Sequence, residues 1–196
     1  MHPTIATASL AATSPERFRG PEPSRADHVP SLRSRGSHRG SLVGGRVPTR
    51  IVYESSLESR TLKALLTDPD ILDVREQVRM HYVDREGKRR THVFDCHVSF
   101  SDNWRVLVAI KPHDLAVATR LHALMRWIAA QIPQHVADAV AVVTERHLSK
   151  AAARDAELIH DARRDGSGPA DGAVMAAMVP TFGAVRVLDL MEASGC

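Results

Sequence analysis

Hydrophobic residues between positions 53 and 164 recur at spacings that predict an alternation of helices and strands. Apolar residues at loosely helical spacing from Tyr53 to Thr67 predict a first helix. Period-two alternation over residues 72–82, and again over residues 90–100, predicts two strands that form a hairpin. The uninterrupted apolar run from Val106 to Ile110 predicts a third strand, central in the sheet and covered on both faces.

The pattern continues with a helix, a strand and a further helix. An apolar stripe at helical spacing begins at Leu115 and ends before Pro133, which predicts the second helix. Residues 136–144 have the apolar content and length of another strand, and residues 145–164 indicate a polar-faced third helix. The order helix, three strands, helix, strand, helix predicts an α/β domain with a mixed central sheet flanked by helices.

We assign this domain to residues 49–165. Residues 166–196 are too few for a second domain and predict a short C-terminal appendage. The sequence leaves two interpretations of this appendage open: an element that packs on the domain, or the remnant of a longer C-terminal region.

Positive charge is concentrated before the predicted domain. The 196-residue chain has a formal net charge of +3, and its first 50 residues contain eight arginines against three acidic residues. Residues 1–48 are also rich in Pro, Gly and Ser, with Phe18 as their only aromatic residue. Such a composition buries too little apolar surface to offset the entropy lost on ordering, and so it predicts a disordered arm.

An arginine-rich arm suits a polyanionic partner such as DNA, because guanidinium groups bind phosphates and release counterions. The candidate DNA-binding residues are Arg33, Arg35, Arg39, Arg46 and Arg50. A solubilising role without a partner is an equally simple interpretation of the same composition.

Two classes of protein are disfavoured by what the chain contains. No apolar stretch has the length of a membrane span, and no charged start precedes an apolar signal core, so we expect a cytoplasmic protein without membrane contact. The two cysteines, Cys96 and Cys196, are too few for a disulfide scaffold and lack zinc-site spacing. We expect both to be reduced thiols.

Three residues that can carry chemistry lie on or next to predicted core elements: Glu58 on the first helix, Asp95 on the second strand, and Lys111 directly after the third strand. A carboxylate inside a strand is costly to bury unless a metal ion or a basic group accompanies it. Lys111 can supply that basic group from the adjacent strand. A structural pair of Asp95 with Lys111, or a solvated sheet edge, explains the same residues without catalysis.

Five ordered segments of the chain resemble the N-terminal catalytic domain of TnsA endonucleases. They span roughly residues 50 to 164. Their order agrees with the restriction-endonuclease-like fold of that family, whose core runs helix, three strands, helix, strand, as the hydrophobic pattern also predicts. The matching segments are Tyr53–Glu58, Asp73–Gln77, His92–Asp95, Val108–Pro112 and Val142–Glu145.

The resemblance implies a magnesium-dependent DNA endonuclease, with manganese as a substitute, that cuts one strand at a transposon end. A separate transposase subunit then cuts the other strand, and a regulatory ATPase is a further expected partner. By this resemblance Glu58 and Asp95 are metal ligands and Lys111 is the catalytic lysine. The backbone carbonyl of Ile110 is a suitable additional ligand, because magnesium prefers hard oxygen donors.

One residue departs from the family pattern. The family places Gln, and related nucleases place Glu, two residues before the lysine, where this chain has Ala109. Three interpretations follow: the remaining ligands suffice, another oxygen from Gln77 or Glu54 substitutes, or the protein binds DNA without cutting it. A nuclease of this fold used in repair or defence is a further alternative.

Overall fold

The computed structural model describes residues 20–28, 38–163, 168–180 and 185–195. Strands and helices alternate through these ranges, with strands confined to the first three quarters of the chain. The elements are β1 (Gly40–Gly44), β2 (Thr49–Tyr53), α1 (Ser56–Thr67), β3 (Ile71–Val83), β4 (Arg89–Phe100), β5 (Arg105–Ile110), α2 (His113–Ala118), α3 (Leu121–Ala129), β6 (Ala139–Val143), α4 (Lys150–Ala162), α5 (Pro169–Met178) and α6 (Val187–Ser194).

Four strands form one mixed sheet in the order β3-β4-β5-β6. The first three strands are antiparallel neighbours, whereas β6 runs parallel to β5 after the helical crossover through α2 and α3. A separate antiparallel hairpin consists of β1 and β2. These observations confirm the predicted α/β class with a mixed sheet and flanking helices.

The sheet separates two hydrophobic cores. Val108 and Ile110 of β5 belong to the core that includes Leu62 of α1. Leu107 and Ala109 of the same strand belong to the core that α3 covers. Because successive residues of a strand point to opposite faces, this division places α1 and α3 on opposite sides of the sheet.

The predicted second helix is divided in two. Arg120 has a left-handed backbone, with φ of 52°, and separates α2 from α3. Leu115, which we predicted as the start of a buried stripe, is 51% exposed, and Ala116 is buried in its place. A single helical phase cannot continue through a residue with positive φ, so the stripe counted from Leu115 was wrong in its first turn.

Part of the predicted disordered arm is ordered. Strand β1 lies within it, since Leu42 is buried against the first core and Gly40–Gly44 pairs with all of β2. Glu22 forms an isolated bridge with Thr49. Backbone pairing therefore supplies order that the local composition does not predict. Residues 1–19 and 29–37 of the predicted arm lie outside the described ranges.

The C-terminal part of the described chain is a pair of helices, α5 and α6, that contact each other. Both helices lie within the predicted C-terminal appendage, and α5 begins with a proline, Pro169. Met175 and Leu188 leave large apolar side chains exposed on this pair. Of the helices in the described ranges, none has the length and apolar character needed to cross a membrane.

Candidate active site

Asp95 has no ladder partner on either of the two strands that flank β4. In the register of β3 with β4, Glu76 faces Cys96 and Val78 faces Phe94, but no pair joins Gln77 to Asp95 between them. Gln77 has a φ of 49°, which interrupts regular strand geometry. On its other side, the pairing of β4 with β5 ends at Cys96, one residue before it would reach Asp95. Asp95 is therefore outside both ladders.

On either side of Asp95, the buried residues of β4 belong to different hydrophobic cores. Cys96 of β4 belongs to the core under α1, whereas Phe94, two residues away, belongs to the core under α3. Residues two apart share a face in a regular strand, so the strand departs from regular alternation around Asp95. This departure explains how a carboxylate is accommodated in the middle of a core strand.

Asp95 binds the end of β5 through its side chain. The Ile110 N–H donates to Asp95 Oδ2 at 2.5 Å. Lys111 follows directly, and its own N–H donates to the Val143 carbonyl of β6 at 3.0 Å. The Asp95 carboxylate therefore binds the main chain of Ile110, the residue directly before the exposed Lys111, at the end of β5.

Glu58 reaches the same region from the N-terminus of α1, where its carboxylate accepts hydrogen bonds from the two residues that precede the helix. Ser55 Oγ accepts the Glu58 N–H at 3.1 Å and donates to Glu58 Oε1 at 2.9 Å. The Glu54 N–H donates to Glu58 Oε2 at 2.7 Å. Glu58 as a whole is only 7% exposed. Capping alone is a sufficient structural reason for a buried glutamate at this position.

Electrostatics link these residues into one neighbourhood. Burial, and then the carboxylate of Glu58, raise the pKa of Asp95 from an ordinary 3.8 to about 7, while the Ile110 N–H and Lys111 oppose this change. Burial also raises the pKa of Glu58, and Lys111 again opposes it. For His92, burial and the positive charge of Lys111 lower the pKa. The positive charge of Lys111 therefore acts on the pKa of both buried acids.

The oxygen donors fit a hard divalent cation. Glu58 and Asp95 supply carboxylates, and each oxygen that already accepts a hydrogen bond has a second lone pair. The carbonyl of Ile110 and several waters can complete the shell, because Mg²⁺ keeps much of its hydration when proteins bind it. Within the described ranges, no group of three or more His, Cys, Asp and Glu side chains is arranged to hold a metal.

The two proposed substitutes for a third ligand have different positions. Glu54 lies beside the site: its carboxylate acts to raise the pKa of Asp95 and of Glu58, while its N–H acts to lower the pKa of Glu58. Gln77 is 4% exposed and stands across from Asp95 on β3. Ala109 is buried in the core under α3 and offers no oxygen.

The three candidate DNA-binding arginines that the structure describes do not form one surface. Arg33 and Arg35 lie outside the described residues. Arg39 is beside the site, with Nη2 at 4.0 Å from Glu54 Oε2, and its side chain is only 20% exposed. Arg46 is in the turn at the other end of the β1–β2 hairpin, about 17 Å away for a five-residue strand. Arg50 is exposed on β2.

Sequence reasoning missed Glu76, which is fully buried on β3. Ser24 Oγ donates to its Oε1, and Oε2 has no partner among the described residues. A signal was present, since Glu76 falls on the same predicted face as the apolar Val74 and Val78. A charged residue at such a position requires a partner, and here the partner comes from the predicted arm.

No protein-family model matches the chain, and no curated protein matches it significantly.

Proposed function

We propose that the protein is a metal-dependent DNA endonuclease of restriction-endonuclease-like fold that resembles the TnsA subunit and hydrolyses a phosphodiester bond at a transposon end. The observation that carries this proposal is the meeting of three elements at one point. Asp95 of β4 binds the main chain immediately before Lys111, and Glu58 of α1 lies within their electrostatic range.

The order of elements supports the proposed fold. A helix precedes the antiparallel strands β3, β4 and β5, and β6 joins in parallel after a helical crossover. This is the core order that the resemblance implies. Asp95 and Lys111 lie where the pairing of β4 with β5 ends, and the exposed Lys111 is available there to a phosphate.

Each residue has a role in the proposed reaction. Magnesium, when bound, supplies a Lewis acid that polarises the scissile phosphate and lowers the pKa of a bound water. Glu58 and Asp95 would hold the ion through their carboxylates, with the carbonyl of Ile110 as a further donor. Lys111 would bind the scissile phosphate and stabilise the negative charge that develops on it.

The arginines that support DNA as the partner lie on an ordered hairpin rather than on a disordered arm. Arg46 and Arg50 are exposed on the β1–β2 hairpin, so each can contact a phosphate and contribute to salt-dependent affinity. A transposase subunit and a regulatory ATPase are proposed as protein partners on the resemblance alone.

A second candidate function is a DNA-binding or assembly subunit of the same fold that has lost cleavage. Two observations favour it: Ala109 replaces the expected amide or carboxylate, and Glu58 already accepts hydrogen bonds at the N-terminus of α1. Under this candidate the acidic pair is structural and Lys111 contributes only to binding DNA.

Nicking of supercoiled plasmid in magnesium or manganese distinguishes the two candidates. The wild-type protein should nick, alone or with a transposase encoded beside it, and Asp95→Ala should not. Asp102→Ala is a matched control, because Asp102 accepts the Trp104 N–H in the β4–β5 turn and takes no part in the site. Nicking by Asp95→Ala at the wild-type rate would contradict the proposal.

A further inference from the structure

An ordered segment, residues 22–28, runs along β3, which is the edge strand of the four-stranded sheet. We call this segment the strap. At its start, the Glu22 N–H donates to the Pro48 carbonyl and the Glu22 carbonyl accepts the Arg50 N–H, both at 2.8 Å. The strap therefore ties the β1–β2 hairpin to the edge of the sheet.

Ion pairs and hydrogen bonds fasten the strap along β3. Arg25 Nη2 donates to Asp73 Oδ1 at 2.6 Å and to the Val74 carbonyl at 3.1 Å. Asp27 pairs with Arg75, and its Oδ2 accepts the Arg79 N–H at 3.0 Å. Contacts this regular cover the free edge of a sheet, which would otherwise expose unpaired backbone groups.

One of these contacts falls directly beside the candidate site. The Asp27 N–H donates to the Gln77 carbonyl at 3.0 Å. Gln77 is the residue with φ of 49°, and it stands opposite Asp95 at the break in the β3–β4 ladder. A glutamine disfavours this backbone conformation, so the surrounding contacts must hold it there.

A second observation shows that the strap belongs to the folded domain. Glu76 is fully buried next to Gln77, and among the described residues its carboxylate accepts one hydrogen bond, from the Ser24 hydroxyl of the strap. Loss of the strap would leave a buried carboxylate with no partner, which is strongly unfavourable. A solvated DNA-binding tail would not have this connection.

We propose that the strap is a positioning element of the candidate site and that Asp27 is its positioning residue. By binding Gln77 and Arg79 on either side of Val78, Asp27 holds β3 in the conformation that keeps Gln77 unpaired from Asp95. Asp95 is then free to bind the Ile110 N–H with its side chain. The role of Asp95 in catalysis rests on the proposed function, but the connection from Asp27 to Ile110 does not.

The test uses the full-length protein with Asp27→Ala. Asp84→Ala is the matched control, because Asp84 also pairs with an arginine, Arg90, and accepts a backbone N–H, from Lys88, at the far end of the same hairpin. Hydrogen exchange of the Ile110 amide and the ¹³Cα shift of Gln77, which depends on backbone φ, are measured by NMR in each variant.

Asp27→Ala should accelerate exchange of the Ile110 amide on the order of tenfold and move the Gln77 shift toward extended values, because the local structure opens more often. Asp84→Ala should change neither. Wild-type exchange and an unchanged Gln77 shift in Asp27→Ala would overturn the proposal. If Asp27→Ala does not fold, Arg75→Ala replaces it, since it removes one anchor of the strap; an unchanged Ile110 rate there would overturn the proposal equally.

Steady-state nicking adds a readout that separates positioning from DNA binding. Asp27→Ala should lower kcat and leave KM for DNA close to wild type, whereas a strap that binds DNA would raise KM instead. If the wild-type protein does not nick, the proposed function fails, and the exchange of the Ile110 amide still decides whether the strap positions Asp95.

Discussion

The side chain of Asp95 takes the place of a main-chain acceptor for Ile110. Continuation of the β4–β5 register would bring Ile110 opposite Phe94, but Asp95 Oδ2 accepts the Ile110 N–H at 2.5 Å. This bond satisfies a backbone donor at the end of a core strand and also fixes a carboxylate beside Lys111.

Asp95→Asn should stabilise the protein at neutral and higher pH. The folded-state pKa of Asp95, about 7, lies above its ordinary 3.8, so the folded protein holds this proton more tightly than the unfolded chain. The free energy of unfolding therefore falls as pH rises from about 4 to about 7. Asparagine removes this dependence and still accepts the Ile110 N–H. We expect a gain of about 2 kcal/mol at pH 8.

Urea denaturation of wild type and Asp95→Asn at pH 4 and pH 8 checks this expectation. The two proteins should be closest in stability at pH 4 and diverge at pH 8. A difference that is the same at both pH values would show that the Asp95 carboxyl does not titrate abnormally.

Glu58→Gln should separate capping from catalysis. The amide oxygen of glutamine can also accept these hydrogen bonds at the start of α1, so the free energy of unfolding should fall by less than about 1 kcal/mol. Nicking should nevertheless be lost, because the change removes one of the two negative charges that would hold the magnesium ion. Glu58→Ala, which loses both functions, is the comparison, and thermal unfolding is measured beside nicking. A Glu58→Gln variant that nicks normally would assign Glu58 to capping alone.

Lys111→Met should lower the nicking rate by about 100-fold, because it removes the positive charge that faces the phosphate. The same change should raise the pKa of Asp95 further, since Lys111 opposes the increase caused by burial and Glu58. The pH at which nicking is half-maximal should therefore move upward in whatever activity persists. A pH–rate profile with an unchanged midpoint would show that the charge of Lys111 does not affect the pKa of Asp95.

Ala109→Gln should destabilise the protein without increasing nicking. Ala109 is 3% exposed in the core under α3, where a longer polar side chain overpacks and costs about 1–3 kcal/mol. Nicking and thermal unfolding of the variant are measured together. Activity in Ala109→Gln, combined with an inactive wild type, would support the candidate of a decayed subunit.

The sequence predicts the fold well where regular periodicity continues and fails where it breaks. The hairpin β3–β4 follows from the alternation of apolar and polar residues, because successive side chains of a strand point to opposite faces. The strand β5 follows from its uninterrupted apolar run, because both of its faces are covered. The break at Arg120 and the left-handed Gln77 are set by tertiary contacts rather than by composition. A glutamine or arginine at positive φ has no signature in the hydrophobic pattern.

The candidate site is only partly predictable for the same reason. Glu58, Asp95 and Lys111 were selected from their positions at core elements, and the structure brings the three side chains into one electrostatic neighbourhood. Period-two alternation groups Gln77 with the polar Arg75 and Arg79, yet Gln77 is buried. The strap was predicted as part of a disordered arm, because its bonds to Asp73 and Gln77 join residues about fifty positions apart.

The central claim is that carboxylates from α1 and β4 hold one metal ion. Calorimetric titration of the full-length protein with Mn²⁺ at pH 8 measures this directly, with Glu58→Gln, Asp95→Asn and the control Asp102→Asn as matched variants. One Mn²⁺ should bind to the wild type and to Asp102→Asn, and binding should be lost in each of the other two. Mn²⁺ binding of equal affinity in Asp95→Asn, or none in the wild type, would contradict the claim.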